Sequence, residues 1–284
     1  MKDVAFGQYY PTKSFVHSMD ARVKILSVVA FIVAVFLVQS LTSATVAIFQ
    51  FIGYLACLIF VLGATLCAKV PLGRVIKSIK GILFFIILSA VLQIFFNANG
   101  NLVLDYGFIK VTDVGLLNAG FLASRITLIV LGASLLTLTT SPVEIADGIE
   151  SLMAPLKWIK FPVHEFALIM SIALRFIPTL LDETDRIIKA QKARGADFDS
   201  GNIFKRVKAL MPVLIPLLIS SFRRADELAD AMDSRCYSGS KVRTKYKKMR
   251  LSWRDLVGGL AIIGLICGVV VLNRTGFLAV VVLL

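Results

Sequence analysis

The chain has 284 residues, 57% of them hydrophobic and only 17% charged, with a formal net charge of +13 and a mean hydropathy of +0.83. That much apolar surface exceeds what a soluble core buries, and it falls in runs long enough to span lipid. A soluble enzyme or binding module is excluded, and an integral membrane protein is indicated. The expected fold is all-α and polytopic, with about five transmembrane helices and a cytoplasmic domain of long amphipathic helices. It divides into residues 1–138 with four transmembrane helices, a cytoplasmic domain over 139–254, and a last transmembrane helix in 255–284.

The leader holds Tyr9, Tyr10, Phe15, His17 and Asp20 ahead of Arg22 and Lys24. This is unlike a cleavable signal peptide, so the first helix is expected to remain in the mature protein. Hydropathy places spans at about 24–41, 44–68, 81–97, 116–138 and 256–282. Gly53 and Gly63 in the second, and Gly258, Gly259, Gly264 and Gly268 in the last, allow close packing of membrane helices. Asn273, Arg274 and Gly276 leave the outer end of the last span open, with Leu272 as an alternative end.

Lys2, Lys13, Arg22 and Lys24 lie in the leader, and Lys69, Arg74, Lys77 and Lys80 between the second and third spans. The 39–45 loop has no basic residue, and the 97–117 loop has only Lys110 beside Asp105 and Asp113. The positive-inside rule therefore puts the N-terminus in the cytoplasm and the C-terminus outside. Residues 139–254, with twenty Lys or Arg against thirteen Asp or Glu, then lie in the cytoplasm. Topology accounts for most of the positive charge, and no nucleic-acid partner is called for.

Within that segment, Ser141-Pro142-Val143-Glu144 reads as a capping box that starts a short helix toward Met153. Pro155 breaks it, and Trp158 and Phe161 suggest a chain lying along the membrane surface. A long helix is expected from Pro162 to Ala193, stopped by Gly195. Ile169, Ile172, Phe176, Leu180 and Ile187 recur at helical spacing, while Asp182 with Arg186 and Asp185 with Lys189 form i,i+4 pairs. Its apolar stretch 166–178 includes Arg175 and reads as too short to cross a bilayer, and Pro178 is expected to kink it. A second helix, Ile203 to Met232, repeats the plan. An apolar half, Leu210 to Ile219, contains Leu214, Pro212 and Pro216; a charged half follows, with Leu218, Phe222, Ala225, Ala229 and Met232 as its stripe. The two helices end alike, in Ala193-Arg194-Gly195 and Ser234-Arg235-Cys236, with an aspartate nine residues before each arginine (Asp185, Asp226). On residue type alone, arginines at helix C-termini complement the helix dipole.

These runs resemble the transmembrane T component of energy-coupling factor transporters, the cobalt-permease-like family. The match is carried by Ser14-Phe15-Val16-His17-Ser18-Met19-Asp20-Ala21-Arg22-Val23-Lys24, by Leu138-Thr139-Thr140-Ser141-Pro142-Val143-Glu144, and by Pro162-Val163-His164-Glu165. Leu174-Arg175-Phe176-Ile177-Pro178-Thr179 and Gln191-Lys192-Ala193-Arg194-Gly195-Ala196-Asp197 complete it. The resemblance implies a non-catalytic membrane scaffold whose long coupling helices cross. It implies docking on two ATP-binding cassette ATPase subunits and on a small membrane subunit that binds a vitamin or metal. The family's two Ala-Arg-Gly motifs map onto Arg194 and Arg235, the second here reading Ser-Arg-Cys. Ile172, Phe176, Leu214 and Leu218 are the expected contact with the substrate-binding subunit. Cell-membrane localisation follows from the same resemblance.

Other chemistry is weakly signalled. His17 and His164 have no acidic or cysteine partner at metal spacing, so no metal site is read. Cys57, Cys67, Cys236 and Cys267 form no CxxC, and Asp182-Glu183-Thr184-Asp185 reads as a solvated helix face. Without a Walker motif, no ATP binding or other cofactor is expected, and no catalytic residues cluster. Arg125, midway along the fourth span, is expected to turn inward to a carbonyl or carboxylate, with gripping of the substrate subunit as the alternative. A self-sufficient channel or secondary transporter is the alternative function, and it calls for more polar or broken-helix features at the midplane.

Overall fold

The computed structural model describes residues 9–38, 44–96, 102–106, 109–159, 161–196, 198, 203–237 and 252–283. The 39–43 loop, residues 97–101, Asp197 and the basic run 238–251 lie outside them. The elements are α1 (Ala21–Leu37), α2 (Ala44–Ala68), α3 (Leu72–Lys80), α4 (Leu83–Phe96), β1 (Leu102–Tyr106), β2 (Ile109–Thr112), α5 (Asp113–Thr139), α6 (Pro142–Leu152), a 3-10 turn Ala154–Ile159, α7 (Val163–Ala193), α8 (Ile203–Asp233) and α9 (Trp253–Leu283). The chain forms two compact units, residues 1–151 with 249–284, and residues 152–248.

The first unit is a bundle in which α5 packs on α1, α2, α3 and α4, while α9 packs on α1 and α2. Its core is built from Phe31, Val35, Tyr54, Cys57, Val61, Leu128, Leu131, Ile262 and Val269. The Phe31–Phe60 and Tyr54–Phe121 rings stack at 6.0 and 5.8 Å. Close approach depends on glycine at two places: a Cβ on Gly132 would meet the Phe31 ring at 2.6 Å, and one on Gly258 would meet the Met19 methyl at 2.2 Å. By contrast Gly63, Gly259, Gly264 and Gly268 face open space, so their expected packing role is not used among the described residues.

The all-α fold is interrupted by one feature the sequence reading passed over. β1 and β2 pair antiparallel between α4 and α5, with Tyr106 opposite Ile109. Thr112 then caps α5 by accepting from the Gly115 N–H at 3.1 Å. The third span also differs from expectation. α4 begins after a separate helix, α3, and the two are bent by 57°. Lys77 and Lys80 close α3, where the helix dipole favours them.

Among the described residues four helices are long and apolar enough to cross a membrane, at Gln50–Ala68, Asp113–Thr139, Val163–Ala193 and Trp253–Thr275, and the bent α3–α4 pair passes as one more. α1, with 17 residues, is shorter. Composition alone admits α7 as a crossing helix, at the lowest hydropathy of the four, 1.4, where the sequence reading treated it as too short and too charged.

Candidate functional site

The second unit holds the two arginine-terminated helices. α7 and α8 each run 31 residues, about 46 Å at the standard rise. Pro178, Pro212 and Pro216 lie inside them without interrupting either helix.

Both helices stop in the same way. The Gly195 N–H donates to the Lys192 carbonyl and the Ala196 N–H to the Gln191 carbonyl, each at 3.0 Å. In α8 the Cys236 N–H donates to Asp233 at 2.9 Å and the Tyr237 N–H to Met232 at 3.0 Å. Each set is a Schellman stop, which needs a left-handed residue just past the helix. Gly195 supplies it with φ +85 and Cys236 with φ +55. Arg194 and Arg235 are therefore the last residues before each reversal, and both are exposed.

The helices run antiparallel, since Gln191 bonds the Pro212 carbonyl while Glu183 accepts from Ser220 Oγ at 3.3 Å. Where they meet, the Arg224 guanidinium pairs with the Glu183 carboxylate. These two residues are 41 apart in the chain, the same interval that separates Arg194 from Arg235 and Gly195 from Cys236. Equivalent positions thus meet each other, which is the signature of a local two-fold relation between the helices. Each arginine lies eleven residues beyond the pair (183 to 194, 224 to 235), so the arms are equal. At 1.5 Å per residue the two tips are held up to about 33 Å apart.

The expected contact residues separate into two settings. Leu214 and Leu218 are exposed on α8, along with Leu210, Met211, Ile215, Ile219 and Phe222. Ile172 and Phe176 instead line a cleft of about 300 Å³ between α7 and α8, with Leu180, Ala225, Leu228 and Met232.

A model of the family CbiQ, described as cobalt transport protein, matches residues 12–246. The chain belongs to this family. It is 47% identical over 268 residues to the energy-coupling factor transporter transmembrane protein EcfT of Clostridium kluyveri, covering 94% of this chain and 96% of the relative. Similarity to the protein of the same name in Acidaminococcus fermentans is 48% over 265 residues (93% and 95%). For Ruminiclostridium cellulolyticum it is 46% over 264 residues (93% and 95%). The chain is accordingly a multi-pass membrane protein of a transporter family, as its sequence motifs suggested.

Several residues of consequence were missed or misread. By spacing Glu183 belongs to a solvated acidic face, but it turns onto α8; the 41-residue parallel is the available signal in the sequence. In the sequence Lys24 reads as a topology marker and as the end of the first family motif. In the structure it is buried, and its ammonium donates to the carbonyls of His17 at 3.0 Å and Thr139 at 3.2 Å. Around it the family's first motif folds into a clasp: Asp255 accepts from the Asp20 N–H at 2.7 Å and the Ser252 N–H at 2.6 Å, and the Tyr10 N–H reaches the Leu138 carbonyl at 2.9 Å. His17 accepts from Ser14 Oγ at 2.7 Å and donates from Nε2 to the Tyr10 carbonyl at 2.9 Å. Burial lowers its pKa below the ordinary 6.5, and the charge of Lys24 acts the same way against the Tyr10 carbonyl. Among the described residues no group of three or more His, Cys, Asp or Glu is placed to hold a metal.

The capping box is present, with Glu144 N–H to Ser141 Oγ and Ser141 N–H to Glu144 Oε2 both at 3.3 Å. Arg125 turns inward as expected. It donates to Tyr54 Oη at 3.0 Å and to the Val38 carbonyl at 3.1 Å.

Proposed function

We propose that the chain is the scaffold and energy-coupling subunit of an energy-coupling factor importer, with residues 139–254 as its cytoplasmic coupling domain. It passes conformational change from two ATP-binding cassette ATPases to a small substrate-binding membrane subunit, and hydrolyses nothing itself. The observation that carries this reading is the pair of equal arms, each ending in an exposed arginine at a Schellman stop. Two like sockets on a two-fold pair of ATPases call for two like plugs held at a fixed spacing. Arginine suits the role because its fork bonds a carboxylate or a carbonyl pair at two points. The Lys and Arg distribution supports a cytoplasmic N-terminus in the cell membrane. The charged second halves of α7 and α8 support a place for both at the cytoplasmic surface. Leu214 and Leu218, exposed and apolar on α8, fit cover for the substrate-binding subunit, and Ile172 and Phe176 line the separate cleft between α7 and α8.

The test is to reconstitute the complex with Arg194→Ala, Arg235→Ala and both. Each single change is expected to weaken ATPase pull-down and ATP-driven uptake, since a partner group left alone in a buried charged contact costs roughly 2 to 5 kcal/mol. The double variant loses more than either. Wild-type assembly and transport in the double variant would reduce both arginines to dipole partners and sink the reading.

A further inference from the structure

We propose that α3 is an interfacial helix that holds anionic phospholipid headgroups with Lys77 and Lys80, and with Lys69 at the turn before it. Its residues sort cleanly by helical phase. At about 100° per residue, Leu72, Val75, Ile76 and Ile79 fall in one stripe, while Arg74, Lys77, Ser78 and Lys80 fall outside it. The protein uses only half of that stripe. Val75 is 3% exposed and Ile79 packs against the core, whereas Leu72 is 43% exposed and Ile76 62%. Leu72 and Ile76 form the edge of the stripe that adjoins Lys80 and Lys77, so an open apolar edge runs beside cations.

The frame around α3 is firm. Lys69 ends α2 in a left-handed conformation, φ +54, with its N–H on the Leu66 carbonyl at 3.0 Å and buried Ala68 and Val70 on either side. The Arg74 guanidinium lies 4.0 Å from the centre of the Tyr10 ring, and the Tyr10 N–H holds the Leu138 carbonyl at 2.9 Å. Arg74 thus ties α3 to the leader and to the C-terminal end of α5. Lys69, Lys77 and Lys80 are all exposed.

Lipid is the occupant that position and charge select. Residues 81–96, which follow Lys80 directly, carry no charge, and Phe84 and Phe85 at the start of α4 are exposed. An apolar surface suited to acyl chains therefore begins within about one turn of Lys80. The 57° bend leans α3 toward the membrane plane at that depth. Residues 21–104 contain no Asp or Glu, so neither α3 nor the helices before and after it in the chain answer these cations. Topology asks only for a surplus of Lys and Arg on one side, not that they border an open apolar edge. An acidic protein surface would answer the charge alone. A phospholipid answers both, with acyl carbons along Leu72 and Ile76 and phosphate at the lysine ammonium groups.

The test uses the full chain in lipid nanodiscs with Ile76→Trp, an exposed position, and subtracts the fluorescence of wild type to remove Trp158 and Trp253. Phosphatidylglycerol and phosphatidylcholine, each brominated near the top of the acyl chain, are compared at equal mole fraction. Both are expected to quench the new indole, and phosphatidylglycerol to associate at least about fivefold more tightly, the increment of one lysine near an anionic surface. Adding Lys69→Asn, Lys77→Gln and Lys80→Gln together is expected to bring the two lipids to parity while quenching by phosphatidylcholine and the melting temperature stay as before. Equal quenching by both lipids with the lysines in place would refute the headgroup site. Quenching by aqueous acrylamide but by neither lipid would overturn the interfacial placement and leave the cations to an acidic protein. A phosphatidylglycerol preference that survives loss of the three lysines would overturn their assignment.

Discussion

His17 shows how much a single side chain in the leader controls. Its ring is neutral in the clasp, donating to one carbonyl and accepting from one hydroxyl, and burial holds its pKa below the ordinary 6.5. The folded chain therefore binds fewer protons there than the unfolded chain. The contribution of His17 is full above pH 6.5 and declines as the pH drops below it toward the folded-state value. Melting temperatures of the detergent-solubilised chain are expected to fall between pH 7.5 and 5.5 more steeply for wild type than for His17→Gln, whose amide can reproduce both hydrogen bonds. Equal slopes would show that the imidazole is not the group being titrated. At this scale the sequence was uneven as a guide. Arg125 was readable because a guanidinium in lipid must find acceptors. The roles of Lys24 and Asp255 were hidden, because their partners lie far along the chain and only the fold brings them together.

The ends of α7 and α8 present the same stop made with two different residues. Gly195 accepts a left-handed backbone without strain, whereas Cys236 carries a Cβ into that region at about 1 kcal/mol. Cys236→Gly is thus expected to stabilise the α8 terminus by up to about that amount, and Gly195→Ala to destabilise α7 by a similar step. Calorimetric or fluorescence melting of the two variants checks the opposite signs; destabilisation by Cys236→Gly would mean that the thiol makes a contact worth more than the strain. Helix existence, both proline-bearing long helices and the capping box were legible because periodicity and cap chemistry are local. The β hairpin was not, since Leu102–Tyr106 and Ile109–Thr112 are too short to stand out between two apolar spans. The bend between α3 and α4 was equally obscure, because hydropathy averages across a break.

At the scale of the whole molecule, the proposed coupling turns on the spacing and direction of the two arginine tips, and the Glu183–Arg224 pair joins the two helices that carry them. It is partly exposed, with side chains 33% and 27% accessible, so solvent screening keeps its stabilising effect small and its value lies in register. The duplicated endings were legible in the sequence but this joint was not, because the 41-residue parallel marks equivalent positions without saying that they touch. Reversing one charge, Glu183→Arg or Arg224→Glu, sets like charges against each other and lets α7 slide on α8. Both arginine tips survive that change. ATPase pull-down is therefore expected to remain near wild type while ATP-driven uptake falls several-fold, since a loose joint transmits less of the stroke. The double reversal restores the pair and should recover transport, which no defect in local folding at either site would do. Uptake in the single variants that matches wild type, or a double reversal no better than the singles, would remove the joint from the coupling path and leave the arms to act independently.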